Sequence, residues 1–136
     1  MESEKWILLS LLPQEQMENC LIIVRGTTEV YRFPFSQIVY IEADENWCNV
    51  YTAGPQMNLL NPQSVPLLMK NVWDMIRDQI DNEHAIFKCG RSLLINPEYV
   101  RLIDVTKKRL LLADGTNYYE LEPSREALIE LKTRFK

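Results

Sequence analysis

In "FKCGRSLLINP", Lys88 and Arg91 stand just before the apolar run Leu93 to Ile95, which Asn96 and Pro97 close. A strand that only packs has no use for two cations at its mouth. An anionic partner does, because ammonium and guanidinium groups donate charge-assisted hydrogen bonds to oxyanions and Arg presents a rigid planar fork. Residues 84 to 109 carry six cations (Lys88, Arg91, Arg101, Lys107, Lys108, Arg109) and two acids, a local balance of +4. Residues 1 to 83 carry five cations and twelve acids, and the remaining tail carries four and five. The overall charge of −4 disfavours a surface that coats a polyanion, yet one basic segment begins inside the quoted motif and can hold nucleic acid locally.

Other chemistry is weaker. His84 and Cys89 can be drawn as base and nucleophile, but no third group orients them, and a thiol flanking a strand is ordinarily packed. Glu42, Asp44 and Glu45 could suggest a metal, yet they surround an evident turn with no histidine or further carboxylate at ligand spacing. Neither a phosphate-cradling glycine loop nor a GxSxG elbow occurs. Cys20, Cys48 and Cys89 are odd in number and form no CxxC pair, which speaks against a disulfide framework or a sulfur-rich zinc site and for a reducing cytoplasm. No enzyme, cofactor or metal is expected.

The elements that must hold these residues are mostly strands. With 136 residues, 46% hydrophobic and 25% charged, the chain suits one folded domain. "CLIIVR" and "TTEVYRF" flank Gly26 as a hairpin, and "QIVYIEA" and "NWCNVYT" flank a turn at Asp44 and Glu45. Both faces of "QIVYIEA" are largely apolar, which predicts a central strand. A short strand over Met57 to Leu60 is expected next. A helix then follows, capped by Ser64, with Val65, Leu68, Met69, Val72, Trp73, Ile76 and Ile80 on one stripe. Strands return in "FKC", "SLLIN", "YVRLIDV" and the hairpin "RLLLADGTNYYEL", whose Asp114 and Gly115 form the turn. Pro123 and Ser124 open a last helix, apolar at Ala127, Leu128, Leu131 and Phe135. The apolar run from Trp6 to Leu12 is too short for a membrane span and lacks the flanks of a signal peptide. It is expected to pack on this domain or on a second copy.

Taken together, "RFPFSQIVYIEADENWCNVYT", "FKCGRSLLINPEYVRLID" and "LLLADGTNYYELEPSREALIEL" resemble the LytTR DNA-binding domain of bacterial response regulators, over about Leu21 to Lys132. The landmarks are Pro34 and Ile38 leading into Tyr40, Ile41 and Glu42; Phe87 with Arg91, Ser92 and Asn96; the Asp114 and Gly115 turn; and Ser124 with Arg125. The resemblance implies an elongated, mostly-β antiparallel fold with flanking helices, in which interstrand loops rather than a recognition helix enter successive major grooves of double-stranded DNA. It implies a first base-reading loop around Asn46, Trp47, Cys48 and Asn49. A second contains Arg91, with Lys88 on the phosphate side, and a third lies at Arg125. Lys107, Lys108 and Arg109 form a basic turn suited to the backbone. The chain departs from the family at Gly90, where many members carry a basic or imidazole residue, and in the acids around the first loop.

The expectation is therefore a non-catalytic, sequence-specific transcription regulator, with residues 21–136 as the DNA-binding domain and 1–20 as an extension for packing or dimerisation. Two copies on repeated promoter half-sites are expected, with no receiver module and no membrane partner. The alternative is a protein-interaction module that keeps the fold without DNA affinity, using Trp6, Leu8, Leu9 and the acidic first half. The two separate on whether the cations converge on one exposed face.

Overall fold

The computed structural model describes residues 21–53, 60–80 and 85–135. In chain order they form β1 (Leu21–Arg25), β2 (Val30–Pro34), β3 (Ile38–Asp44), β4 (Trp47–Thr52), β5 (Gln63–Val65), α1 (Met69–Gln79), β6 (Phe87–Lys88), β7 (Leu93–Ile95), β8 (Val100–Asp104), β9 (Arg109–Ala113), β10 (Tyr118–Leu121) and α2 (Arg125–Arg134). The strands make three antiparallel sheets: the hairpin β1-β2, a five-stranded sheet ordered β5-β4-β3-β7-β6, and a three-stranded sheet ordered β10-β9-β8. This is the mostly-β fold with flanking helices that the sequence predicts.

Strand β3 is the middle of the five-stranded sheet because its residues can be buried on both faces. Ile38 and Ile41 belong to one core with Cys48, Val50 and Val65, covered by Val72 and Ile76 of α1 and by Ile22 and Val24 of the hairpin. Val39 and Tyr40 belong to a second core with Leu93 and Ile95, covered by Leu110, Leu112 and Leu121 of the three-stranded sheet and Leu128 and Leu131 of α2. A register irregularity between Ile38 and Tyr40 lets the adjacent residues Val39 and Tyr40 serve the same core. Each aliphatic side chain removed fully from water on either face stabilises the fold by about 1.5–3 kcal/mol before entropy is subtracted.

Polar side chains lock these layers. Gln79, at the end of α1, accepts from the Ile23 N–H at 2.8 Å and donates to the Ile23 carbonyl at 2.6 Å, fastening the helix to the hairpin. The Asn61 side chain does the same to Thr52 at the end of β4, with both contacts at 3.0 Å. Ser124 caps α2 by accepting from the Ala127 N–H at 3.2 Å, the cap the sequence predicts.

The first helix differs from expectation. It begins at Met69, not after Ser64, because Ser64 and Val65 are in β5, where Val65 is fully buried opposite Cys48. Pro66 drives the preceding Val65 toward extended backbone, which suits a strand better than a helix start. Leu68, placed on the apolar stripe by the sequence, is the extended residue before α1 and half exposed. The strand expected over Met57 to Leu60 falls outside the described residues except for Leu60, as does the N-terminal extension. Among the described residues no helix is long and apolar enough to cross a membrane.

Candidate functional site

The turn between β6 and β7 is closed by the Cys89 N–H donating to the Leu93 carbonyl at 2.8 Å. Gly90 supplies a positive φ of 77°, a left-handed conformation that side chains resist. This gives a physical reason for glycine at this position. The turn lies against the start of α2, since a Cβ on Gly90 would sit 3.9 Å from the Ala127 Cβ. At the other end of α2 the Arg134 guanidinium stacks 4.8 Å over the Phe87 ring, so the helix runs alongside the β6-β7 hairpin.

Between this turn and the β10-to-α2 connection lies an open cleft of about 220 Å³. Arg91, Ser92, Glu42, Glu122 and Ser124 give it polar walls, with Cys89 and Leu93 beneath. Arg91 and Ser92 are exposed, and among the described residues no ion pair or hydrogen bond holds the Arg91 side chain. Arg91 forms an ion pair with neither Glu98 nor Asp104. Arg125 begins α2 one residue beyond the cleft wall and is exposed. The second and third sequence-predicted loops therefore meet.

The first loop is next to them. The Ala43 N–H donates to the Ser92 carbonyl at 2.8 Å, and Glu42 lies opposite Leu93. The β3-β4 tip is a two-residue turn, Glu45 at φ 56° and the exposed Asn46, that closes directly on the Asp44–Trp47 pair, one pair beyond Ala43. The basic turn after β8 is also at this end of its sheet. Leu121, on the cleft, pairs with Leu110, which pairs with Ile103, so the β8-β9 turn and the exit from β10 share one end. In that turn Asp104 accepts from the Lys107 N–H at 3.0 Å and Lys108 has φ 53°, leaving both lysine side chains exposed. Arg109 is spoken for, with its Nε 2.7 Å from a Glu120 carboxylate oxygen.

Three expected residues are buried, engaged or turned away. Cys48 is fully buried with its Sγ 3.2 Å from the Leu67 carbonyl, because alternation along β4 turns Trp47 outward and Cys48 inward. Its thiol is core, not surface. Asn49 is half-buried on the same face as Glu42, and its side-chain oxygen accepts from the Ser64 hydroxyl at 2.8 Å. Lys88 pairs with Leu94, whose side chain belongs to the α1-side core, so Lys88 leaves the sheet on the face opposite the cleft.

The cleft also contains residues that the sequence reading named without giving them a part in DNA contact. Glu42 is half-buried, and burial together with Asp44 raises its proton affinity above that of an ordinary carboxyl. A glutamate in the central strand, where glutamate is depleted, is the signal that could have found it. Ser92 and Ser124 were visible only as landmarks. Burial pushes both the Cys48 and Cys89 thiols up to about 11, and Glu130 adds to the effect at Cys89, so neither is poised as a nucleophile. Among the described residues no group of three metal-ligating side chains forms.

No family model and no curated protein sequence matches this chain. Among solved structures it is similar to a LytTr DNA-binding domain from Bacillus cereus, with a TM-score of 0.54 and 16% identity, over 83% of this chain and 94% of that one. The similarity shows the fold.

Proposed function

We propose that this chain is a sequence-specific DNA-binding transcription regulator of the LytTR type, acting without catalysis by occupying promoter DNA. The observation that carries the reading is the meeting of the Arg91 turn, the Arg125 helix start and the Asn46 tip at one end of a LytTR-type fold. In this reading Arg91 and Arg125 reach guanine O6 and N7 in the major groove, and Asn46 offers its amide to an adjacent base. Lys107 and Lys108 lie on phosphates, while Lys88 reaches backbone on the far side of the hairpin. The groove is about 12 Å wide, enough for an interstrand turn. Two copies on repeated half-sites would add affinity that a chain of net charge −4 gains only locally from its cations.

The test is fluorescence anisotropy with a random duplex pool and with fragments of the native genome, at low and physiological salt. Binding with a salt slope of about −3, as expected for three to four neutralised phosphates, supports the reading. Both Arg91→Ala and Arg125→Ala should weaken it by about 1–3 kcal/mol. Absence of binding to either DNA at low salt would turn the reading toward the interaction module.

A further inference from the structure

Glu42 is out of place on a surface that only attracts phosphate. It is a half-buried carboxylate on the wall of the cleft that also holds Arg91, and among the described residues it has neither a hydrogen bond nor an ion pair. Its cross-strand neighbour Asn49 has turned its side-chain oxygen to Ser64. A carboxylate there repels the backbone of any nucleic acid that enters, so the cleft is shaped for something that carries donors as well as acceptors. Base edges in the major groove do: cytosine presents its N4 amino group directly beside guanine O6, and guanine adds N7. A carboxylate accepts from that amino group, and an arginine fork spans O6 and N7.

We propose that this cleft reads one C·G base pair from the major groove, with Arg91 donating to guanine and Glu42 accepting from the cytosine N4 amino group. The inference rests on the DNA-binding reading above and adds the identity of the pair. It makes Glu42 a specificity residue that weakens contact with every wrong sequence. Thymine at the cytosine position would bring its O4 lone pairs against the carboxylate, and guanine there would bring O6 and N7.

The experiment selects preferred duplexes from a random library with wild-type protein. Anisotropy then measures wild type, Glu42→Gln, Glu42→Ala and Arg91→Ala on the selected site and on a series with each base pair replaced in turn. Far-UV circular dichroism and melting confirm that each variant folds. The expected result is one C·G pair whose replacement costs wild type about 5-fold or more and costs Arg91→Ala and Glu42→Ala less than about 2-fold. Glu42→Gln, which can donate as well as accept, should tolerate thymine or adenine at the cytosine position. If both Glu42 variants bind all duplexes more tightly by one common factor, with the base preference intact, Glu42 is only a repelling charge and the inference fails while DNA binding stands. If wild type binds no duplex, both readings fail together.

Discussion

Strand β7 carries polar residues at both of its ends, and the two ends have opposite fates. At the far end Asn96 is 2% exposed and fully employed. Its side-chain amide donates to the Ile38 carbonyl at 2.9 Å, its side-chain oxygen accepts from the Glu98 N–H at 3.1 Å, and its own N–H reaches the Val39 carbonyl at 3.0 Å. At the near end Arg91 and Ser92 are exposed, and only backbone groups of their turn are engaged. In the sequence both ends read as polar punctuation around "LLI". Burial separates them: a buried polar group must be satisfied by the fold, whereas an exposed cation keeps its donors for a partner.

The sharpest way to break this contrast is Asn96→Ala. It leaves the buried Ile38 carbonyl without this donor and removes the acceptor of the more exposed Glu98 N–H, so a loss of about 1–3 kcal/mol is expected in urea unfolding. DNA affinity of the remaining folded protein should stay within about twofold. Arg91→Ala is the mirror image, with stability changed by no more than about 0.5 kcal/mol and duplex affinity reduced by about 1–3 kcal/mol. Equal losses of stability for both variants would erase the distinction between the two ends.

Gly90→Ala probes the junction between structure and site. No atom lies closer than 3.9 Å to the new Cβ, so crowding costs little, but φ 77° is unfavourable for any side chain. The expected penalty is about 1–2 kcal/mol, read as a fall of a few degrees in Tm. Any relaxation of the turn moves Arg91, so duplex affinity should fall with it. A basic residue placed at this position would add charge and still bind less well, which separates geometry from electrostatics at the turn.

The features that were legible in the sequence are those set by local rules. Two apolar faces mark β3 as central, Asp114 and Gly115 mark a hairpin, and Ser124 marks the start of α2. The misplaced start of α1 has a different origin. Val65 falls at helical spacing from Met69 and Val72, yet its burial comes from pairing with Cys48, a contact 17 positions away that no local period reports. Lys88 lies in a strand of two residues, too short for alternation to reveal which face it takes. Cys48 was within reach: in "WCNVYT", read as a strand, the residues Cys48, Val50 and Thr52 alternate inward, but the base-reading loop that the resemblance implies over Asn46 to Asn49 hides that phase. The cleft is purely tertiary, built where α2 meets the β6-β7 turn, and so only its separate walls could be seen beforehand.

The two buried thiols measure the contrast by the smallest effect. Cys89 adjoins the near end of β7 and the cleft, whereas Cys48 lies inside β4 between two neighbouring strands. Both are held near pKa 11 in the folded chain, while an unfolded thiol titrates near 8.5. Between those values the unfolded state binds fewer protons than the folded one. The thiols' contribution to stability is therefore flat below about pH 8 and falls as pH rises toward 11, and Cys48→Ala and Cys89→Ala should each flatten part of that decline. At pH 8, iodoacetamide followed by mass spectrometry should find both thiols slow, because each must be uncovered before it ionises. Cys89 should label before Cys48: β6 is a two-residue edge strand, and its turn opens more cheaply than the middle of a five-stranded sheet. Duplex bound across Arg91 should then slow Cys89 and leave Cys48 unchanged. Equal rates with and without DNA would mean that the near end is as rigid as the far one and that nothing binds over it.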